Sequence, residues 1–218
     1  MARDVFFVFD LDDTLYPEVQ YSLSALNFIG SELSKEFGLA NAAQELTELF
    51  KSGAADAIGT YWRQVKLPIE DLKPRVAAMQ SHNPAISLYS DTRVFLEKIK
   101  ESKIPYALVT DGRSVTQRQK ISALGLSEAV AVCISEETGA SKPDPVAFEP
   151  LLELIGNQHP IFVGDNPSKD FAYPNSQGWT TVMRRNDGTH IREQVLPDDA
   201  SYHPDRVIDD FSELGRLI

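Results

Sequence analysis

Cysteine is almost missing from this chain of 218 residues: Cys133 stands alone, so no intramolecular disulfide can form. Its place in the apolar run Ala-Val-Ala-Val-Cys-Ile (129–134) reads as a buried structural thiol in a reducing compartment. Positive charge is short as well. Twenty-one Lys and Arg stand against 32 Asp and Glu, a formal net charge of -11, which repels nucleic-acid backbones and anionic membranes alike. Nucleic acid is therefore not an expected partner. Part of the excess is local: Glu193, Asp198, Asp199, Asp205, Asp209, Asp210 and Glu213 are accompanied by Arg206 alone, a pattern that predicts a solvated face. Long hydrophobic runs are also lacking. The five apolar residues before Asp10 are too few for a signal peptide or a membrane span, so the reading is of a soluble, cytoplasmic protein. Internal repeats and low-complexity segments are absent too.

What is present is a set of four short apolar runs, each ending in a polar residue: Val5–Phe9 before Asp10, Tyr106–Val109 before Thr110, Ala129–Ile134 before Ser135, and Ile161–Gly164 before Asp165. Continuous rather than alternating apolarity marks strands covered on both faces, as in a parallel sheet between helices. Helix-end signals support this. Ser114-Val115-Thr116-Gln117 has the form of a capping box and Gly125 that of a stop, predicting a helix over 115–124. Asp144-Pro145 resembles a cap followed by a first-turn proline, with Gly156 as terminator. Pro150 would break one continuous helix, so a short turn at 145–148 and a main helix from Glu149 are expected.

About ninety residues separate the first run from the second, far more than a crossover needs. From Glu18 to Tyr89 the pattern is helical, carried by Leu23, Leu26, Phe28, Ile29, Leu33 and Phe37, then Leu46, Leu49 and Phe50, then Tyr61, Trp62 and Val65. The chain thus divides into a core of 1–17 and 90–218 and a helical insertion of 18–89, on linkers near 16–18 and 83–90. His82 falls at the second linker and is read as a linker residue.

In an open α/β sheet, ligands bind at the carboxyl ends of the strands. Asp10, Thr110 and Asp165 would stand there, with Asp12 and Asp170 nearby. Several carboxylates in one cleft need a cation to remain ionised, and a hard divalent ion such as Mg2+ suits oxygen ligands. Lys142, in Ser-Lys-Pro-Asp-Pro, could reach the same edge and neutralise an anion.

The segments VFFVFDLDDT, YALVTDG, SKPDP and VGDNPSKD, in that order, resemble the four motifs of haloacid dehalogenase superfamily phosphatases. The resemblance implies a doubly wound, mainly parallel Rossmann-like core with an inserted helical cap. It also implies Mg2+-dependent hydrolysis of a small-metabolite phosphate monoester, a sugar phosphate or nucleoside monophosphate. Asp10 then matches the nucleophile that becomes phosphorylated, and Asp12 the general acid/base, its backbone carbonyl ligating the metal. Thr110 and Lys142, with the amides of Leu11 and Asp111, match the phosphate-holding groups. Asp165 and Asp170 match the acidic metal ligands, alongside Asp10. Asp13 is read as structural. Asp12 sets the chain apart from the dehalogenases of the family, which lack that second aspartate. A phosphomutase would keep the same motifs, and a catalytically quiet metabolite-binding module would have lost some. In the insertion, Arg63 and Lys66 beside Tyr61 and Trp62 are substrate-contact candidates, weighed against a plain amphipathic stripe. Arg113, next to Thr110-Asp111-Gly112, is a further candidate.

Overall fold

The computed structural model describes residues 4–218. Six strands form one wholly parallel sheet in the order β3-β2-β1-β4-β5-β6. They are β1 (Val5–Phe9), β2 (Tyr106–Thr110), β3 (Ala131–Ile134), β4 (His159–Gly164), β5 (Thr180–Arg184) and β6 (Arg206–Ile208). The four apolar runs of the sequence are β1 to β4. β5 and β6 carry no such run: Thr-Thr-Val-Met-Arg opens on two threonines, and β6 is a three-residue edge with Arg206 and Val207 exposed. Along β1 the side chains alternate between two cores. Val5, Phe7 and Phe9 pack with Phe95, Ile99, Ile121 and Phe211, whereas Phe6 and Val8 pack with Phe148, Leu151 and Phe162. Helices α5 (Ser90–Glu101) and α6 (Ser114–Ala123) cover the first face, and α8 (Glu149–Ile155) covers the second.

Helix α6 runs close to the expected range, but its capping box does not form. Arg113 is the N-cap and no side chain caps the first turn. The Gln117 amide instead donates to the Asp12 carboxylate at 2.9 Å and to the Thr110 hydroxyl at 2.6 Å, and Ser114 donates to Glu137. A buried charged acceptor is the stronger partner for Gln117. The second expectation holds in detail: Asp144 accepts from the Val146 amide at 2.9 Å over a 3-10 turn at Pro145–Ala147. α8 begins at Glu149 with Pro150 in its first turn, where a missing N–H costs little. Cys133 is buried, and burial pushes its thiol up to about 11. All seven acids of the 193–213 stretch are exposed, although Ile208, Phe211 and Leu214 between them enter the core.

Between β1 and β2, α1 (Glu18–Phe37), α2 (Ala42–Lys51), α3 (Ala57–Gln64) and α4 (Leu72–Gln80) gather their own apolar cluster around Ile29, Leu33, Leu46, Tyr61 and Trp62. Its chain ends lie side by side: the Tyr89 amide donates to the Leu15 carbonyl at 3.1 Å, and the Ser87 amide to Gln20 at 2.8 Å. His82 is more than a linker residue. It is buried, with Nε2 2.9 Å from the Ser24 hydroxyl and Nδ1 2.5 Å from the Met79 carbonyl, and so fastens the end of α4 to α1. The remaining short helices are α7 (Ser135–Thr138) and α9 (Ala172–Ser176). Among the described residues, no helix is long and apolar enough to cross a membrane.

α1 meets α2 at Gly30, where an added Cβ would stand 2.3 Å from the Ala43 Cα. Backbone cannot yield as a flexible side chain can. Gly30→Ala should therefore destabilise the helical unit by about 1–3 kcal/mol, although alanine is intrinsically better in a helix by about 1 kcal/mol. Urea denaturation of the two proteins measures the sign.

Candidate active site

Strand order reverses between β1 and β4, and the crevice beyond their carboxyl ends is where such sheets place ligands. Asp10 leaves β1 there and Asp165 leaves β4 beside it, with the Asp10 amide bonded to the Val163 carbonyl at 2.9 Å. The cleft encloses about 280 Å3 and includes Asp10, Asp12, Thr110, Asp111, Lys142, Asp165 and Asp170 in its lining. Lys142 is its electrostatic centre. The buried ammonium donates to Asp10 Oδ1 at 2.5 Å and stands 2.7 Å from Asp170 Oδ1. The other Asp10 oxygen accepts from the Thr14 hydroxyl at 3.2 Å. The second oxygen of Asp170 accepts the amides of Asp165 and Asn166 at 3.1 and 2.9 Å. Gly164 makes that approach possible, since a Cβ there would lie 2.3 Å from Asp170 Oδ2.

Carboxylate oxygens of Asp10, Asp165 and Asp170 lie within 4.8 Å of one another. Burial, only partly offset by Lys142, raises the Asp10 carboxyl well above its usual value, and Asp170 and Asp165 add to the rise. Burial likewise lifts Asp165 to about 6. Three crowded acids, of which Asp10 and Asp170 share one ammonium, are an all-oxygen donor set short of positive charge. A hard divalent cation fits it.

Asp12 is held differently. Burial alone would raise it, but Lys120 at 2.7 Å, together with Tyr16 and Gln117, brings its carboxyl below the ordinary range. Asp111 accepts from the Lys142 amide at 3.1 Å and from the Lys169 ammonium at 2.9 Å. Leu11 is fully buried between Asp10 and Asp12. Asp13 has φ 55° and accepts the amides of Glu18 and Ile191 at 2.7 and 3.0 Å, a structural pattern.

The structure does not bring Arg63, Lys66 or Arg113 into this cleft. Arg63 is exposed on α3, donating to Thr60 at 3.1 Å and pairing with Asp56 at 3.8 Å. Lys66 is exposed just beyond α3. Arg113 donates to Gln80 at the end of α4 at 2.7 Å. Sequence reasoning missed Gln117 and Lys120, which grip Asp12, and the lining residues Glu18, Lys169 and Arg192. Gln117 and Lys120 sit three apart on α6, one face of a helix, so the signal existed; reading Gln117 as part of a capping box concealed it. Glu18, pushed up to about 7 by burial and by Asp12, begins α1 and looked only like an insertion boundary.

Comparison with known proteins places the chain in a family. The family model described as haloacid dehalogenase-like hydrolase matches residues 7–183. A ribulose-1,5-bisphosphate 5-phosphatase from Halopiger xanaduensis is 28% identical, across 97% of this chain and 98% of its own. A glyceraldehyde 3-phosphate phosphatase from Methanopyrus kandleri is also 28% identical, across 96% and 97%. Among solved structures, a magnesium-bound HAD-hydrolase from Bacillus subtilis shares the fold with a TM-score of 0.66 at 17% identity, over 99% of both chains.

The buried ammonium gives a stability prediction. Lys142→Met leaves Asp10 and Asp170 uncompensated and should cost about 3–5 kcal/mol at neutral pH in metal-free buffer. Because the folded Asp10 carboxyl lies well above its ordinary 3.8, its penalty on folding appears as pH rises past that value and vanishes in acid. Urea denaturation should therefore show the variant's deficit growing with pH; a deficit constant from acid to neutral would contradict the charge account.

Proposed function

This chain belongs to the haloacid dehalogenase-like hydrolases, and from that premise we propose that it is a Mg2+-dependent phosphatase of small sugar phosphates, working through an aspartyl-phosphate on Asp10. The observation that carries the reading is the meeting of Asp10, Lys142, Asp165 and Asp170 at the β1/β4 crevice, with Asp12 held apart on separate partners. Phosphate-ester hydrolysis is also the activity named for the relatives from Halopiger and Methanopyrus. Both are named for phosphorylated sugars or their three-carbon fragments, which favours that substrate class over nucleotides.

An Asp10 carboxylate oxygen attacks phosphorus in line, forming the acyl-phosphate bond as the ester oxygen departs. Lys142, already against Asp10, together with Thr110 and the Leu11 and Asp111 amides, holds the phosphoryl oxygens. Asp10, Asp165, Asp170 and the Asp12 carbonyl would hold Mg2+, whose positive charge would let two anions meet. Asp12 protonates the departing oxygen, then takes a proton from the water that cleaves the acyl phosphate. Its carboxyl, kept low by Lys120, suits the second step directly. For the first step Asp12 therefore relays a proton: it accepts the one carried by the monoanionic phosphate ester, passes it to the departing oxygen, and is left as the carboxylate that the second step needs.

The helical unit completes the reading as a cap, with residues 18–89 set into a core of 1–17 and 90–218. Its separate apolar cluster and adjoining ends favour that division. Glu18 and Arg192 both line the cleft, where they would be available to a bound sugar.

Asp10→Asn should remove nearly all turnover of para-nitrophenyl phosphate and of a panel of sugar phosphates while leaving the unfolding transition in place; more than about a tenth of wild-type activity retained would sink the covalent route. Separately, EDTA should abolish turnover and Mg2+ restore it, and Asp165→Ala should raise the Mg2+ requirement or eliminate activity. Full activity in metal-free buffer contradicts the metal's role.

A further inference from the structure

His190 takes no part in the hydrolysis just described, yet its position is demanding. Its side chain is 0% exposed, and among the described residues neither Nδ1 nor Nε2 has a hydrogen-bond partner. Leaving buried polar atoms unsatisfied is costly, so such a ring points to something that uses it. Asp165 Oδ2 lies 3.5 Å from Nδ1, too far for a hydrogen bond of good geometry. Asp13 is close as well: one ligand atom from each of Asp13, Asp165 and His190 falls within 4.8 Å of the others.

We propose that Asp13, Asp165 and His190 form a second cation site, distinct from the Asp10, Asp165 and Asp170 group, that takes a borderline first-row divalent ion, Zn2+ foremost. Two carboxylates and one neutral imidazole carry a charge that a divalent ion balances. An imidazole nitrogen selects against Mg2+ and Ca2+, which prefer oxygen, and toward Zn2+, Co2+ or Mn2+. Bonds of about 2.0–2.1 Å require the three side chains to draw inward slightly, leaving a position open toward the cleft.

The site is built from two sides. Asp13 accepts the Ile191 amide at 3.0 Å, next to His190 in sequence, so the same carboxylate that would ligate also fixes the loop carrying the ring. The Glu18 amide, at 2.7 Å from its other oxygen, holds that carboxylate in place. Asn186 accepts the His190 amide at 3.4 Å from the far end of the loop. Both Asp13 and Asp165 line the cleft, which gives an ion its way in. Asp165 belongs to both groups, so an ion at His190 touches the Mg2+ side through one shared carboxylate. Binding here is independent of phosphatase activity and is measured without substrate.

The chain has four histidines, at 82, 159, 190 and 203, which makes the imidazole nitrogens a direct readout. In protein labelled with 15N-histidine and already saturated with Mg2+, one equivalent of Zn2+ should produce a further shift in the ring nitrogen signals of His190 alone. His190→Gln should lose that response and weaken Zn2+ binding by at least about tenfold. Asp13→Asn, a residue that tolerates the same left-handed φ, should weaken it similarly. Should His190→Gln fail to fold, single substitutions of the other three histidines assign the responding ring by elimination. The proposal is overturned if Zn2+ leaves the His190 signals in place, shifts His82, His159 or His203 instead, or binds the folded variants as tightly as the wild type.

Discussion

The arrangement depends on one buried ammonium. Lys142 stands between Asp10 and Asp170 with almost no contact with water, and the acids around it outnumber it. Coulomb attraction there offsets part of the cost of desolvating the carboxylates, and the remainder appears as a raised Asp10 and a raised Asp165. A pocket so poised is unfavourable for folding and favourable for taking up cations and phosphoryl groups. The neighbouring details serve that tension: Gly164 has no side chain, so the Asp170 carboxylate can reach two backbone amides, and Asp111 ties the Lys142 backbone to Lys169.

Two carboxylates only two residues apart have their proton affinities pushed in opposite directions. Asp10 faces acids and one shared lysine; Asp12 faces Lys120, Gln117 and Tyr16, all hydrogen-bond donors. The separation is a consequence of α6 beginning directly after β2, which directs its buried face, Gln117 and Lys120, at the turn following β1. Gln117 further connects Asp12 to Thr110, so the groups at the ends of two neighbouring strands share one donor.

Much of the sheet was legible because β1 to β4 are buried on both faces and so read as uninterrupted apolar runs. β5 and β6 were not, since Thr180, Thr181 and Arg206 break the pattern that burial would otherwise impose. Asp10, Asp165 and Asp170 could be placed together because a parallel sheet carries strand ends to one edge, whatever lies between them in sequence. His190 and Lys120 could not. A loop residue after β5 has no periodicity that announces a partner, and the spacing of Lys120 from Gln117 on α6 is hidden once Gln117 is read as part of a capping box; both roles depend on packing across distant segments. Arg63 and Lys66 show the opposite error, in which aromatic neighbours suggested a contact that the orientation of α3 does not make.

The bond from the Tyr89 amide to the Leu15 carbonyl closes the insertion where it opens. To the core, therefore, the chain from Leu15 to Tyr89 behaves as though it were a tight connection, however many residues hang from it. Loop-closure entropy grows only slowly with length, and here the ends are already stapled, so lengthening, shortening or exchanging the helices should leave the sheet's folding almost undisturbed. Such an attachment makes the helices one exchangeable cassette hung from a single backbone bond at the sheet's edge.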